Sequence, residues 1–421
     1  MRANLRNILL ADPMSRWAYD AIHAWDFTTN EARWNRRRLQ SIKDTPGWTF
    51  TRASAAYYTN AAGVMSNFAS GVPRIGDVGL LVEPGATNIL TYSQQMDNAA
   101  WTKTNATISA NATTAPDGTT TADKLEEDSV NTTHYTSQIP SASGGATYIV
   151  SVYAKAAERS HFLLYDEGVG TFFNLANGTI TSDYSAPLAK GIEPLTNGWY
   201  RCWIAVTSTG ATGPQIMVCN AATTYSYTGT TGYGIYIWGA QTEIASYTIP
   251  TSYIPTTTAS AARVYDSPTV ASGLGGSYPL SLFCEFPMLH DINVTQHPFL
   301  VQASDYTESS LFLLGGGPGA RVLYDTMIAG GATQAQTSVT GAIAVNTVVK
   351  GAARFQLDNT NIARAGILAT NDTSCTAPAT ATQVTFGLAV GSATAVAPTL
   401  IRRAAIFNRA LTDVELQRYS T

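Results

Sequence analysis

From Tyr233 to Trp238 the chain alternates as an extended strand does, with Tyr233, Ile235 and Ile237 on one face and Tyr236 and Trp238 on the other. Both faces are apolar, which predicts a strand covered on both sides. After Gly239 the alternation gives way to a threonine-rich stretch holding Pro250 and Pro255. Each proline removes a ladder donor, so this stretch is expected to be an extended linker that divides the chain. Upstream, Tyr148, Val150, Val152 and Ala154 share one face, as do Tyr200, Cys202, Ile204 and Val206, and QIMVC answers across the next turn. Asn177 and Gly178, between Leu175 and Ile180, form a strong hairpin signal. Downstream, SLFCEFPM, PFLVQAS, SLFLLGG, ARVLYD, TVVKGAARF, QVTFGLAV and TLIRRAAIF repeat the strand-and-turn rhythm. Two antiparallel β-sandwiches of jelly-roll type are expected, and the chain is mainly β.

The two ends read differently. Thr412 to Glu415 has the T-x-x-E form of a capping box, and Leu411 and Leu416 sit where a hydrophobic staple needs them, so a short helix closes the chain. At the other end, Asp12 and Pro13 look like an N-cap and first helical residue, followed by Met14, Trp17, Ala18, Ala21 and Ile22 at helical spacing. Residues 1–48 carry Trp17, Trp25, Trp34 and Trp48, with Arg33, Arg36, Arg37 and Arg38 among them. So small a segment cannot bury four indoles alone and is expected to dock on another protein or on sister subunits.

Composition narrows the function. Only 13% of the residues are charged and the net charge is −4, which argues against a nucleic-acid partner. The four cysteines show no C-x-x-C spacing, so no zinc site or redox dithiol is indicated. Cys202 and Cys219 flank a turn at equal distance, which fits either a cross-hairpin pair or two small buried residues. No apolar run has signal-peptide form or the length of a membrane span, so a soluble, unexported protein without membrane insertion is expected.

No catalytic constellation stands out. The histidines, His23, His134, His161, His290 and His297, are scattered, and no metal or cofactor is called for. GGGPGAR (315–321) lacks the Lys-Ser/Thr of a phosphate loop, and the neighbours Asp166 and Glu167 do not make a facing acid pair. An enzyme is therefore not expected. Glu83 and Asn88 are expected to serve backbone groups at a strand end. A sugar site needs exposed rings beside amides or carboxylates. Tyr225, Tyr227 and Tyr233 in one loop, with Trp199 and Trp203 on one strand, are the candidate glycan-binding residues; a subunit interface would use the same rings. Loops with Asp305, Tyr306, Asn371 and Asp372 are weaker candidates, for calcium or for sugar.

WGAQTE, then TSYIPT, then Arg263 to Asp266 resembles the end of a carbohydrate-binding-like jelly roll found in bacteriophage virion fibre, spike and receptor-binding proteins. TFTRASAAYYTNAAGV (49–64) and GLLVEPGATNILTYSQQMDNAAWTK (79–103) match the same family in order, and IRRAAIFNRALTDVELQRY (401–419) is similar to the end of laminin G and concanavalin-like domains. The resemblance implies four parts: an attachment segment, 1–48; a β meander, 49–84; the jelly roll, 85–265; and a concanavalin/laminin G-like sandwich, 266–421. It implies a tail fibre, spike or baseplate receptor-binding protein that adheres to host surface glycan. The alternative is a head fibre or decoration protein of purely structural role. Trp17, Trp25, Trp34, Arg36, Arg37 and Arg38 would then contact other virion proteins, in a homotrimer assembled in the bacterial cytoplasm and located in the virion.

Overall fold

The computed structural model describes residues 17–18, 20–140, 144–210, 213–245, 247–271, 278–289, 297–303, 307–315, 322–379, 382–388 and 397–421. Most of the expected helix after Pro13, the loop residues Asp305 and Tyr306, and nearly all of GGGPGAR lie outside them. The chain is mainly β, built of antiparallel sheets, with the expected helix at its end, Asp413–Ser420. Thr412 caps that helix and exchanges hydrogen bonds with Glu415 in a capping box, which supplies partners for backbone donors the first turn leaves open.

Contacts divide the chain into two units. A terminal unit holds Met1–Ala53, Ser70–Pro84 and Tyr265–Thr421, and an inserted unit holds Ser54–Ala69 and Gly85–Val264.

In the terminal unit an eight-stranded sheet runs Arg37–Leu39, Glu31–Trp34, His23–Asp26, Arg403–Phe407, Leu280–Pro287, Val348–Phe355, Asn361–Arg364, Ile367–Leu368. A seven-stranded sheet, from Ala332–Ser338 across to Trp48–Thr51, shares its core. That core takes Leu282, Cys284 and Phe286 from the first sheet and Val301, Phe312 and Leu323 from the second.

Here the expectation of a separate 1–48 segment needs correction. His23–Asp26 pairs with Glu31–Trp34 on one side and with Arg403–Phe407 on the other, so this stretch is part of the C-terminal sandwich. Trp25 is fully buried, its rim against Phe386 at 5.3 Å, and its Nε1–H donates to Thr45 Oγ1 at 3.2 Å. Trp34 is buried beside it, and Trp17 packs on Phe283 at 5.4 Å. The indoles are covered by strands hundreds of residues away, pairing that a local pattern does not register. Of the expected attachment residues, Arg36, Arg37 and Arg38 remain exposed, at a hairpin whose turn puts Asn35 and Arg36 at φ 47° and 63°. Arg38 pairs with Glu31.

In the inserted unit one sheet runs Thr102–Thr104, Asn131–Ser137, Gln215–Cys219, His161–Asp166, Val169–Asn174, Thr179–Ser185, with Ser226–Thr228 added on Asn131–Ser137. The other runs Ala106–Thr113, Ala122–Glu127, Gly234–Ile244, Thr147–Ala156, Trp199–Thr207, Ala189–Pro194. Phe162, Leu164, Phe173, Ile216 and Val218 meet Val150, Val152, Cys202, Ile204, Ile235 and Ile237 between them. Cys202 and Cys219 are free and buried, one on each sheet.

The stretch expected to be a linker is instead a packed cover on the second sheet. Glu243, fully buried, accepts from the Thr251 N–H and Oγ1, each at 2.7 Å. Gln241 Oε1 accepts the Ile254 N–H at 2.7 Å. Asn88 donates to the Ala240 and Ile254 carbonyls and accepts from the Leu90 and Thr242 amides, the strand-end role expected of it. Glu83 differs: its carboxylate pairs with Arg74 in a buried network with Asp266 and Arg52.

Candidate functional site

The first sheet of the inserted unit turns a second set of side chains away from the core, because successive strand residues face opposite ways. Register lines them up across the sheet. Tyr135, Met217, Leu163 and Phe172 form one row; Ser137, Gln215, Tyr165 and Gly170 form the next; Cys219, His161 and Asn174 form a third. Leu163, Phe172, Met217 and Cys219 are buried and make an apolar floor, with Tyr135, Tyr165 and Tyr225 packed on it and half-buried.

Tyr184 completes the group and is 49% exposed, although it is a large ring. Its ring stands edge-on to Tyr165 at 5.4 Å and to Tyr225 at 5.7 Å, and Tyr225 leans on Phe172 at 6.2 Å. Edge-to-face contacts of this kind hold rings in fixed orientation. The loop bearing Tyr225 is tied down as well, since Thr181 Oγ1 donates to the Ala222 carbonyl at 3.1 Å. Burial, followed by the neighbouring Tyr184 hydroxyl, lifts the Tyr225 hydroxyl above its ordinary pKa, so it stays a neutral donor. Burial lowers the His161 pKa, and Ser160 Oγ lies 3.2 Å from its Nδ1. The result is a pre-organised platform of rings bordered by an amide, a hydroxyl and an imidazole.

The five sequence candidates are distributed unequally. Tyr225 belongs to this platform. Tyr227 does not: it is buried, donates its hydroxyl to Glu127, and lies under the Arg159 guanidinium. Burial and then the Glu127 carboxylate raise its pKa. Tyr233 is 42% exposed but carries Arg159 over its ring at 5.2 Å, in the same ion-pair cluster. Trp199 is 1% exposed, donates Nε1–H to the Thr114 carbonyl at 3.1 Å, and shares a closed aromatic cluster with Trp238, Tyr153 and Tyr253. Trp203 is buried with its ring against Gly191, where a Cβ would come within 2.5 Å. Neither indole is a platform open to solvent. Tyr253, from the stretch expected as a free linker, shares the cluster that buries Trp199.

Tyr135, Tyr165 and Tyr184 were not singled out from sequence. Alternation in HFLLYD and NTTHYTS places Tyr165 and Tyr135 on one strand face, but alternation alone does not say which face meets the second sheet.

In the terminal unit a cavity of about 450 Å³ is lined by Gln336, Thr337, Ser338 and residues 370–374. Asn371 Oδ1 accepts from Arg354 of the Val348–Phe355 strand at 3.2 Å, and Asp372 Oδ1 accepts the Ser374 N–H of its own loop at 3.0 Å. Among the described residues no three His, Cys, Asp or Glu side chains gather as a metal would need.

Among solved structures the chain is similar to a heptameric SAP-like pentraxin from Limulus polyphemus, at 10% identity and TM-score 0.29, over 36% of this chain and 73% of that one. It is similar to the CBM40 of the Ruminococcus gnavus IT-sialidase bound to α2,3-sialyllactose, at 13% identity and TM-score 0.28, over 34% and 83%. The mouse laminin α1 domains LG4-5 match at 10% identity and TM-score 0.25, over 75% and 92%. No family model and no curated protein matches the chain.

Proposed function

We propose that this chain is a non-catalytic adhesin that binds host surface glycan through the outward face of the Gln215–Cys219 and His161–Asp166 strands. The observation that carries this is the half-exposed Tyr184, braced between Tyr165 and Tyr225 over an apolar floor. Folding gains nothing from leaving such a ring in water, whereas a sugar ring offers CH groups to its face and hydroxyls to its neighbours.

The virion setting rests on the resemblance of WGAQTE, TSYIPT and Arg263 to Asp266 to phage fibre, spike and baseplate proteins. In that setting the exposed Arg36, Arg37 and Arg38 hairpin is, among the described residues, a part of the N-terminal stretch that can contact other virion proteins, and a homotrimer is the assembly we assign.

The test is binding of the full chain to host cells, with and without enzymatic stripping of surface polysaccharide. Saturable binding that stripping abolishes, and that Tyr184→Ala with Tyr225→Ala weakens, supports adhesion. Absence of binding by the folded, assembled chain overturns it and leaves the head fibre or decoration role.

A further inference from the structure

We infer that the ligand of this face is an internal stretch of an uncharged polysaccharide, rather than an acidic glycan or a single terminal sugar. The inference rests on the adhesin reading and goes further, because it follows from what borders the tyrosines. The rows that register defines hold aromatic, aliphatic and neutral polar side chains, with Gln215 and Asn174 as the amides. Burial lowers the pKa of His161, the one titratable base in those rows, and so favours its uncharged form.

Asp183 and Glu167, on the bordering strand and hairpin, are already engaged. Asp183 pairs with Lys190 and accepts from Thr171 Oγ1, whose residue is fully buried. Glu167, at the hairpin after Asp166, accepts from the hydroxyls of Ser208 and Thr209. A uronate or sialate carboxylate would need an Arg or Lys to replace its water, and setting it against tyrosine rings without one is costly. Neutral pyranose rings have no such need. They can stack on Tyr184 and Tyr165 and hydrogen-bond to Gln215 and the phenol hydroxyls.

The second half concerns length. From Thr179–Ser185 to Asn131–Ser137 the face crosses five strands. Four inter-strand gaps of about 4.8 Å make it about 19 Å wide, several times a single sugar ring. Tyr184 and Tyr135 stand toward opposite ends of that span, with Tyr165 and Gln215 between them. A chain running across the strands meets all of these groups, and a terminal sugar meets only some.

The experiment uses the full chain against immobilised dextran, galactan and mannan, with polygalacturonate and polysialate as the acidic set, at low and high salt. The expected result is binding to at least one neutral polymer that changes less than about twofold across that salt range, since no ion pair is there to screen. Tyr184→Ala and Gln215→Ala should each weaken it roughly tenfold, equal to about 1.4 kcal/mol, with an unchanged circular dichroism spectrum. A tetrasaccharide of the bound polymer should compete at far lower concentration than its monosaccharide. Binding confined to the acidic set and lost in salt, or no neutral polymer bound while host cells still are, overturns the inference and leaves adhesion standing. Equal competition by the monosaccharide overturns the extended site. Loss of both polymer and host-cell binding sinks the adhesin reading itself.

Discussion

Removing the Asp266 carboxylate tests how the terminal unit is held together. Asp266 is fully buried; its Oδ1 accepts from Arg52 Nη1 at 3.0 Å, and its Oδ2 accepts from Arg74 and from the Glu83 N–H, the last at 2.8 Å. Glu83 in turn pairs with Arg74, so two cations and two anions close a neutral group out of contact with water. Counterions hold the Arg74 guanidinium charged against a burial that would lower its pKa. Asp266→Ala deletes both acceptors and leaves two guanidiniums facing one carboxylate. Breaking a buried pair by removing one partner costs about 3–5 kcal/mol, mostly the charge left uncompensated. Against a typical domain stability of about 5–15 kcal/mol, that is a large share. Urea unfolding of the full chain, followed by tryptophan fluorescence, should show the midpoint of the transition involving Trp25 and Trp48 falling with little change in slope. Because the group is buried, added salt should leave the difference unchanged. A loss under about 1 kcal/mol would refute the reasoning, since it would mean that water or a shifted backbone replaces the carboxylate at no great cost.

Other outcomes follow from single groups. Burial pushes the Asp325 carboxyl up to about 7, above its ordinary 3.8. The folded protein then holds the extra proton between those values, so stability should fall as pH rises from about 4 to 7, by at most about 1.4 kcal/mol per unit, and level off above. Asp325→Asn should flatten that slope in urea titrations at stepped pH; an unchanged slope would remove Asp325 as its source. Trp25→Ala should cost about 3–5 kcal/mol by thermal or urea melts, because it empties core space against Phe299 and Phe386; near-wild-type stability would place Trp25 outside the core. Thr412→Ala should cost about 1 kcal/mol by loss of the helix cap, with amide exchange in Asp413–Ser420 rising first; no change there would show that packing alone fixes the helix. Arg36→Glu with Arg37→Glu should leave stability within about 0.5 kcal/mol, as exposed substitutions do. The same change should reduce incorporation into virions if the hairpin is the attachment contact.

What the sequence makes legible is whatever is encoded within a few residues. Alternation in ATYIVSVYAKA, the Asn177-Gly178 turn and the Thr412–Glu415 box each correspond to elements of the fold, because their causes are local. By itself the N-terminal stretch implies an outside partner, because its four tryptophans exceed what a short segment can bury. Its partner is the chain's own Arg403–Phe407, and pairing between residues so distant depends on the whole fold. Four of the five aromatic candidates lie away from the platform for a related reason. Trp199 and Tyr184 both lie on strands of the inserted unit, yet one is buried in a cluster with Tyr57, Trp238 and Tyr253 and the other is half-exposed. Exposure is a property of what folds back over a face, and alternation is silent on it.

The blocks that carry the family resemblance are explained by bonds within the chain. Gln241 and Glu243 of WGAQTE spend their polar atoms on the backbone and side chain of TSYIPT, and both are fully buried. Asn88 of VEPGATN fastens the same two segments, and Asp266 holds Arg52, Arg74 and Glu83. Each of these side chains is therefore constrained by folding alone, whatever the protein binds. Tyr135, Tyr165, Tyr184, Gln215 and Tyr225 lie on the other sheet and its loop, and the clasp makes no demand on their identity. The fold therefore leaves these positions free to vary. For that reason the resemblance informs the fold, and the proposed adhesin role is tested at Tyr184 and its neighbours.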